Sequence, residues 1–529
     1  MRNLLKSFLF KSIIAGFILR LIYLFNKTGD ISKINLGGDP CHHFNLAYNI
    51  SKFNGPKTDF IFSYWHRHDV LPAITDVYPP GFHFFSAIFI FFYDDFIITR
   101  IIPIIIFILN IYLTILISKK IQRSDLGIMT CFLILINYFH IENSVVFMTV
   151  TFYMLIIQIY FYLLIFYDQN RKYIYLLGLS VGYASITFGG WQILFLITFI
   201  FLLINKIKSI KDYSLFFIGF LTIALPWGFY TYSYFGSPYY SNLNFYPIID
   251  SWSEMLFTSE KPTINYFLAN TDFSLYFKNH LIWSIENLKK FCLILFPTFL
   301  FPISFLLIPM LIHGSIKLKK YGFYILLFVI LYFIVLSISG YAFSGKLSPR
   351  HFLPLLFLVS LLMSSSILEI YKFLSKYKFF INIYKFQNIF LIFAFSVTVY
   401  GVLYKENFWN KNTKPFYEFG RKVQKIVKIN EKIMYGSTPQ DLWCVARRQI
   451  ILDPNNMFNI RDDKKFYQFL KKRVIKEINY YKPEYLLLDF SKHIYDRSNN
   501  YLSSAINYYS MYDLSLKLSD EVNEFYLYK

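Results

Sequence analysis

Residues 98–123 read ITRIIPIIIFILNIYLTILISKKIQR. The run 98–118 carries a single charge, Arg100 near its start, and Lys119, Lys120 and Arg123 close its far end. About 20 apolar residues are what a helix needs to cross a bilayer, and flanking Lys and Arg mark the cytoplasmic end of such a helix. The stretch therefore reads as a membrane span that ends inside. The same pairing recurs along the chain. Further apolar runs lie at 8–26, 126–141, 147–166, 173–187, 191–205, 214–234, 291–312, 322–340, 352–371 and 387–404. Every even-numbered span ends at a Lys/Arg cluster, while the short outer turns 140–146 and 188–190 carry none. Consistency of this kind predicts about 11 transmembrane helices, with the N-terminus cytoplasmic and the C-terminus outside. The first of them, 8–26, lacks a small-residue cleavage site and reads as an uncleaved span rather than a signal peptide.

One apolar run is read differently. Residues 82–93 follow Pro79-Pro80-Gly81, are short, and end at Asp94-Asp95. Counting them as a span would turn every later basic cluster outward, so they are expected to form a helix lying in the membrane surface. The chain then divides into a transmembrane module, 1–404, whose first outer loop at 27–97 contains amphipathic helices, and a soluble tail, 405–529. The tail is charged and has strand-like runs at 432–435, 449–452 and 485–488, with a helix expected at about 462–480. That alternation predicts a small extracytoplasmic α/β domain.

Composition agrees with the membrane reading. Hydrophobic residues make up 56% of the 529 and charged residues 16%, against roughly 25% charged in soluble chains. The net charge of +21 is spread through short clusters between spans. It makes no basic face on a soluble module, so no nucleic-acid partner is expected. The four cysteines, Cys41, Cys131, Cys292 and Cys444, form no CxxC pair, so neither a zinc finger nor a disulfide framework is indicated.

The polar residues of the first outer segment are the candidates for chemistry. Asp39, His42, His43, His66, His68, Asp69, Asp76 and His83 all lie there, and five of the ten histidines fall between 42 and 83. Carboxylates with imidazoles can bind a divalent cation, and a carboxylate alone can act as a general base. They can equally be solvated loop residues. Asp39 follows a glycine pair and precedes Pro40 and an amphipathic run, which also fits an N-cap aspartate with Pro40 at the first helical position. Arg350, with Lys346 and His351, lies on the outer side. A guanidinium there can bind phosphate oxygens bidentately or anchor a span at the lipid surface. Arg100 has the same two readings, and Trp191 and Trp227 read as interfacial belt residues.

The Asp-Pro-x-x-His string Asp39-Pro40-Cys41-His42-His43, within Gly37 through Ala47, is similar to the first-loop motif of oligosaccharyltransferase catalytic subunits. Val77-Tyr78-Pro79-Pro80-Gly81-Phe82-His83 resembles the proline pair of protein mannosyltransferases and aminoarabinose transferases. Arg100 at the start of the second span, Ala224–Gly228 through Tyr234–Pro238, Ser348–Pro354, and the tail with Asp441-Leu442-Trp443 and Tyr485–Asp489 agree with that group in order and sidedness. Together they resemble the GT-C glycosyltransferases that use polyprenyl-phosphate sugars. The resemblance implies an α-helical polytopic GT-C fold, a polyprenyl-phosphate-linked sugar donor, a divalent cation such as Mg or Mn, and Asp39 as catalytic carboxylate or, with His43, metal organiser. It also implies a second acid at the outer end of the third and fourth spans. Residues 147–151 hold none there, and Glu142 is the nearest. Arg350, Lys346, His351, Arg100 and His83 become the expected substrate and phosphate contacts. The WWDYG string of oligosaccharyltransferases is absent, so transfer to a protein sequon is not implied.

The expectation is thus an inverting glycosyltransferase of the plasma membrane, with membrane lipid and an acceptor glycan, lipid or protein as partners. A multi-span lipid or solute transporter or flippase is the rival. Against it, no internal repeat is visible and few charges lie deep in the spans.

Overall fold

The computed structural model describes residues 2–27, 38–61, 70–121, 123–169, 173–205, 210–242, 273–292, 306–339, 349–374, 414–435, 439–452, 479–489, 518–522 and 525–528, with the single positions 265, 396 and 399. All of the expected span 387–404 but residues 396 and 399, all of the tail helix 462–480 but residues 479 and 480, residues 293–305 of the expected span 291–312, and Lys346, His66, His68 and Asp69 fall outside these residues.

The membrane module is helical: α1 Arg2–Lys27, α2 Asp39–Ser51, α3 Gly81–Phe92, α4 Ile98–Lys120, α5 Ser124–Leu135, α6 Tyr138–Asn143, α7 Val150–Gln169, α8 Ile174–Ser185, α9 Trp191–Ile204 and α10 Ile210–Phe235. Helices Phe273–Cys292, Leu307–Lys317, Lys319–Ser339 and Leu356–Leu374 follow, the last preceded by a 3-10 turn, Pro349–Leu355. Among the described residues six helices are long and apolar enough to cross a membrane: Phe8–Asn26, Ile98–Lys120, Val150–Tyr167, Ile210–Phe235, Lys319–Ser337 and Pro349–Phe373. Shorter apolar helices occupy 81–92, 124–135, 174–185 and 191–204. Three of these are shortened versions of expected spans. The run 126–141 breaks because the Asn137 side chain accepts the His140 N–H at 2.9 Å and starts α6. An N-cap of this type ends one helix and begins another.

Close packing relies on small residues where helices touch. On α8 and α10, a Cβ on Gly178 would press into the Phe216 carbonyl and one on Gly219 into the Tyr175 carbonyl. Glycine at both positions lets the backbones meet, as membrane interfaces favour. Arg20, inside the first span, is buried, and both terminal nitrogens of its guanidinium are bonded while Nε meets no partner among the described residues. It donates to the Gly16 and Leu135 carbonyls at 2.8 and 3.1 Å, lies 2.7 Å from His140 Nδ1, and stacks over Phe107.

The tail holds a five-stranded sheet in the order β4-β3-β5-β7-β6, built from β3 Lys432–Tyr435, β4 Gln449–Leu452, β5 Tyr485–Asp489, β6 Leu518–Val522 and β7 Phe525–Tyr528. β3 is parallel to β4 and β5, and β7 is antiparallel to β5 and β6. Helices Lys414–Ile426 and Pro439–Ala446 accompany it. The segment between α2 and α3 carries a two-stranded pair, β1 Lys57–Thr58 with β2 Ala73–Ile74. It also adds Phe60 to the free edge of β4, opposite Ile450: Ile61 N–H donates to the Ile450 carbonyl and Ile450 N–H to the Asp59 carbonyl, both at 3.0 Å.

One sequence expectation is overturned here. Cys41 and Cys444 are disulfide-bonded, with Cα atoms 5.9 Å apart. No local spacing announces a pair separated by 403 residues. Cys131 and Cys292 are free and buried.

Candidate active site

Asp39 opens α2, but its side chain does not cap the helix. The N-cap position is Gly38, and no cap-residue side chain bonds there. The Asp39 carboxylate turns instead to two other parts of the chain. Arg350 Nη2 donates to Oδ2 at 3.1 Å, and the Tyr78 hydroxyl donates to Oδ1 at 3.0 Å. Both charged side chains remain about a third exposed, at 32% each. The pair is therefore open to a ligand.

Each partner is placed by its own element. Arg350 sits in the 3-10 turn that leads into the helix Leu356–Leu374, where Phe352, Leu353, Pro354 and Leu355 are buried and fix the turn. Tyr78 precedes the proline pair, whose rings restrict the backbone. The string is pinned from two sides. Ser241 donates to the Val77 carbonyl at 2.6 Å, and Asn242 donates from its side chain to Asp76 Oδ2 and from its backbone to the Asp76 carbonyl. At the other end, Gly81 N–H donates to the Ile186 carbonyl at 2.6 Å and the Gly81 carbonyl accepts from Tyr183 at 2.7 Å. A Cβ at Gly81 would collide with Thr187 and lie 2.8 Å from the Ile186 carbonyl. Glycine is required by this close approach, not by a turn.

Against the Tyr78 ring lies His43, with ring centroids 4.5 Å apart, and both it and His83 are buried. His83 Nδ1 is 3.1 Å from the Pro79 carbonyl, which can only accept, so Nδ1 carries the hydrogen. His83 Nε2 then accepts from His43 Nδ1–H at 3.0 Å. This assignment follows from the hydrogen-bond network, and it leaves His43 Nε2 as an acceptor. Burial, then the neighbouring His42 and Arg350, holds His43 well below the usual imidazole range. Burial and His43 do the same to His83, against a smaller opposing effect of the Pro79 carbonyl. His42, packed edge-on against Phe60 and Tyr78, is pushed down to about 3, chiefly by burial. The imidazoles are therefore neutral at ordinary pH. Tyr153 of α7 comes close enough to feel the Asp39 charge.

The remaining sequence candidates lie elsewhere or at the margin. Glu142 bonds to Tyr23 and also neighbours Tyr138, on the α1 and α6 side. Arg100 is buried and donates to the Val145 carbonyl at 3.2 Å. His351 follows Arg350 in the same turn and is partly buried. Tyr78 had been quoted in a motif without a role. Only the folded chain shows that it touches Asp39.

For a divalent cation the donor set is poor. Among the described residues no three His, Cys, Asp or Glu side chains gather to hold a metal, and each Asp39 oxygen already accepts a bond, one of them from a cation. The residues described do not fit the group.

No protein-family model matches the sequence, and no curated protein matches it. Solved structures do. The fold is similar to ArnT from Cupriavidus metallidurans bound to undecaprenyl phosphate, with a TM-score of 0.57 and 9% identity over 98% of this chain and 97% of that one. It is similar to the archaeal oligosaccharyltransferase AglB from Archaeoglobus fulgidus, in complex with an inhibitory peptide and a dolichol-phosphate. There the TM-score is 0.59 and the identity 14%, over 92% of this chain and 69% of that one. An Archaeoglobus fulgidus oligosaccharyltransferase solved with Zn and sulfate gives a TM-score of 0.59 at 13% identity, over 91% and 68%. At such identities the likeness is one of fold. The chain has the GT-C fold that the sequence resemblance implied.

Proposed function

We propose that this chain is a membrane glycosyltransferase that moves a sugar from a polyprenyl-phosphate-linked donor to an acceptor on the outer face, with inversion. Its N-terminus is cytoplasmic and its tail extracytoplasmic. The observation that carries the reading is the ion pair between Asp39 and Arg350, in a fold shared with proteins solved with undecaprenyl phosphate and with dolichol-phosphate.

The chemistry needs two things: an acceptor for the hydroxyl proton and a cation for the leaving phosphate. The pair supplies both and holds each in check. A donor phosphate competes with the Asp39 carboxylate for the guanidinium, which binds phosphate oxygens in the same forked geometry. Arg350 turning to phosphate frees Asp39 Oδ2 for the acceptor hydroxyl. The acceptor oxygen then bonds to the anomeric carbon as the carbon–phosphate-oxygen bond breaks. The bonding pair leaves with the phosphate beside Arg350, and the hydroxyl proton passes to Asp39. Tyr78 keeps the other carboxylate oxygen in place throughout.

The test is transfer by purified protein from radiolabelled polyprenyl-phosphate sugars to a mixed cell-envelope acceptor, for wild type and Asp39→Asn. Transfer that collapses in a folded Asp39→Asn variant supports the reading. Equal transfer by both removes Asp39 from the chemistry. No transfer with any donor, alongside lipid or solute movement in proteoliposomes, overturns the enzyme reading in favour of a transporter.

A further inference from the structure

The tail reaches the start of α2 through a matched row of contacts. Gly38 has a left-handed backbone, at φ 91°, and its N–H is one of the donors that a helix start leaves without an intrahelical partner. Asp441 Oδ1 accepts it at 3.0 Å, across 403 residues of chain. One turn on, Cys41 is bonded to Cys444, with the same separation of 403. One turn further, the Arg447 guanidinium lies 5.1 Å from the Phe44 ring, keeping the register. It is also 5.0 Å from Tyr48, 4.8 Å from Phe96 and 4.3 Å from Trp443. Trp443 itself packs on Phe44 and Tyr48.

A constant offset means that α2 and the helix Pro439–Ala446 run side by side in the same direction. Their N-termini lie together, an arrangement in which helix dipoles repel. The Asp441 carboxylate sits at that shared end, where a negative charge offsets the repulsion. Asp39 is the residue next to Gly38 and two before Cys41. Its backbone is therefore held from outside the membrane module, by a segment more than 400 residues later in the chain.

We propose that the helix Pro439–Ala446 is a splint for α2 and that Asp441 is a positioning residue for Asp39. The tail then contributes to sugar transfer by fixing where the carboxylate meets Tyr78 and Arg350. This rests on the reading of Asp39 as the reacting carboxylate. Asn at 441 keeps an oxygen that can accept the Gly38 N–H, whereas Ala does not, and the two variants separate positioning from bulk folding.

The experiment uses the full-length protein and compares wild type, Asp441→Ala, Asp441→Asn, the double variant Cys41→Ser/Cys444→Ser, and Asp39→Asn. Hydrogen exchange is followed over residues 38–44 together with transfer. The expected result for Asp441→Ala is exchange at least tenfold faster over 38–44. Its kcat per folded molecule falls tenfold or more with donor KM within twofold, and Asp441→Asn recovers to within threefold of wild type. Wild-type kcat in folded Asp441→Ala overturns the proposal, as does equal loss in the Ala and Asn variants. If Asp441→Ala does not fold, the double cysteine variant is judged by the same criterion, and wild-type kcat in it is equally fatal. Unchanged exchange over 38–44 refutes the splint even if no donor is turned over. A dead Asp39→Asn beside an active Asp441→Ala sinks only this inference, while an active Asp39→Asn sinks the reading beneath it.

Discussion

Asp39 and Arg350 are 311 residues apart in the chain and 3.1 Å apart in the fold. One opens α2 and the other lies in the 3-10 turn that leads into the helix Leu356–Leu374. A pair that spans the module in this way does little for stability. With about a third of each side chain exposed, it is worth about 1 kcal/mol or less.

Loss of Arg350 should therefore be visible in rate and not in folding. Arg350→Ala is expected to melt close to wild type in detergent and to lose about 100- to 1,000-fold in transfer, the usual cost of removing one charge-stabilising donor. Arg350→Lys keeps the charge without the fork and should recover only part of this. Thermal melts and initial rates on the same preparations check both. A large drop in melting temperature with proportionate loss of rate would reassign Arg350 to structure.

Tyr78 contributes a single neutral donor to the Asp39 carboxylate. Tyr78→Phe removes that bond and little packing. A hydrogen bond to a charged group is worth about 1.5–3 kcal/mol, so a fall of about tenfold to 100-fold in kcat is expected. Donor KM should barely move, and kinetics at saturating acceptor will show it.

The Pro79-Pro80-Gly81 string is held in place by contact with the end of α8. Gly81→Ala forces a Cβ against Thr187 and the Ile186 carbonyl, and overpacking of this kind costs about 1–3 kcal/mol. Gly189→Ala is the control, since a Cβ there meets nothing within 4 Å. The first variant should lower the melting temperature and the second should leave it unchanged.

His42, His43 and His83 are buried and shifted below the ordinary value of 6.5. As pH falls through 6.5 the unfolded chain takes up protons that the folded chain refuses. Stability is therefore complete above about pH 6.5 and declines as pH drops from there toward the depressed values, by at most about 1.4 kcal/mol per pH unit for each imidazole. Melting temperatures measured from pH 7.5 down to 5 should fall in wild type and fall less steeply in His83→Gln. A flat profile in wild type would contradict the burial of these rings.

The membrane helices were legible because bilayer thickness imposes a length on apolar runs and charge asymmetry imposes a direction. The runs at 98–118, 147–166, 214–234, 322–340 and 352–371 match long apolar helices of the structure closely. Where a run was broken, the breaker was a local side-chain bond, as at Asn137, whose energy is too small to read from apolar patterning. Asp39 and Arg350 stood out singly, each by its place beside an apolar element on the side the sequence reads as outer. Their contact could not be read, because tertiary distance leaves no local periodicity. The same holds for Cys41 and Cys444. β3, β4 and β5 were visible as apolar runs, but β6, Leu-Ser-Asp-Glu-Val, carries too little apolar alternation to be seen.

The pairing of Phe60 with Ile450 sets an order of events. A chain made from its N-terminus presents residues 59–61 early, while the strand that exchanges hydrogen bonds with them is still to come. That strand, Gln449–Leu452, follows all the described long apolar helices in the chain. The edge at residues 59–61 thus stays without this pairing while the intervening chain is made.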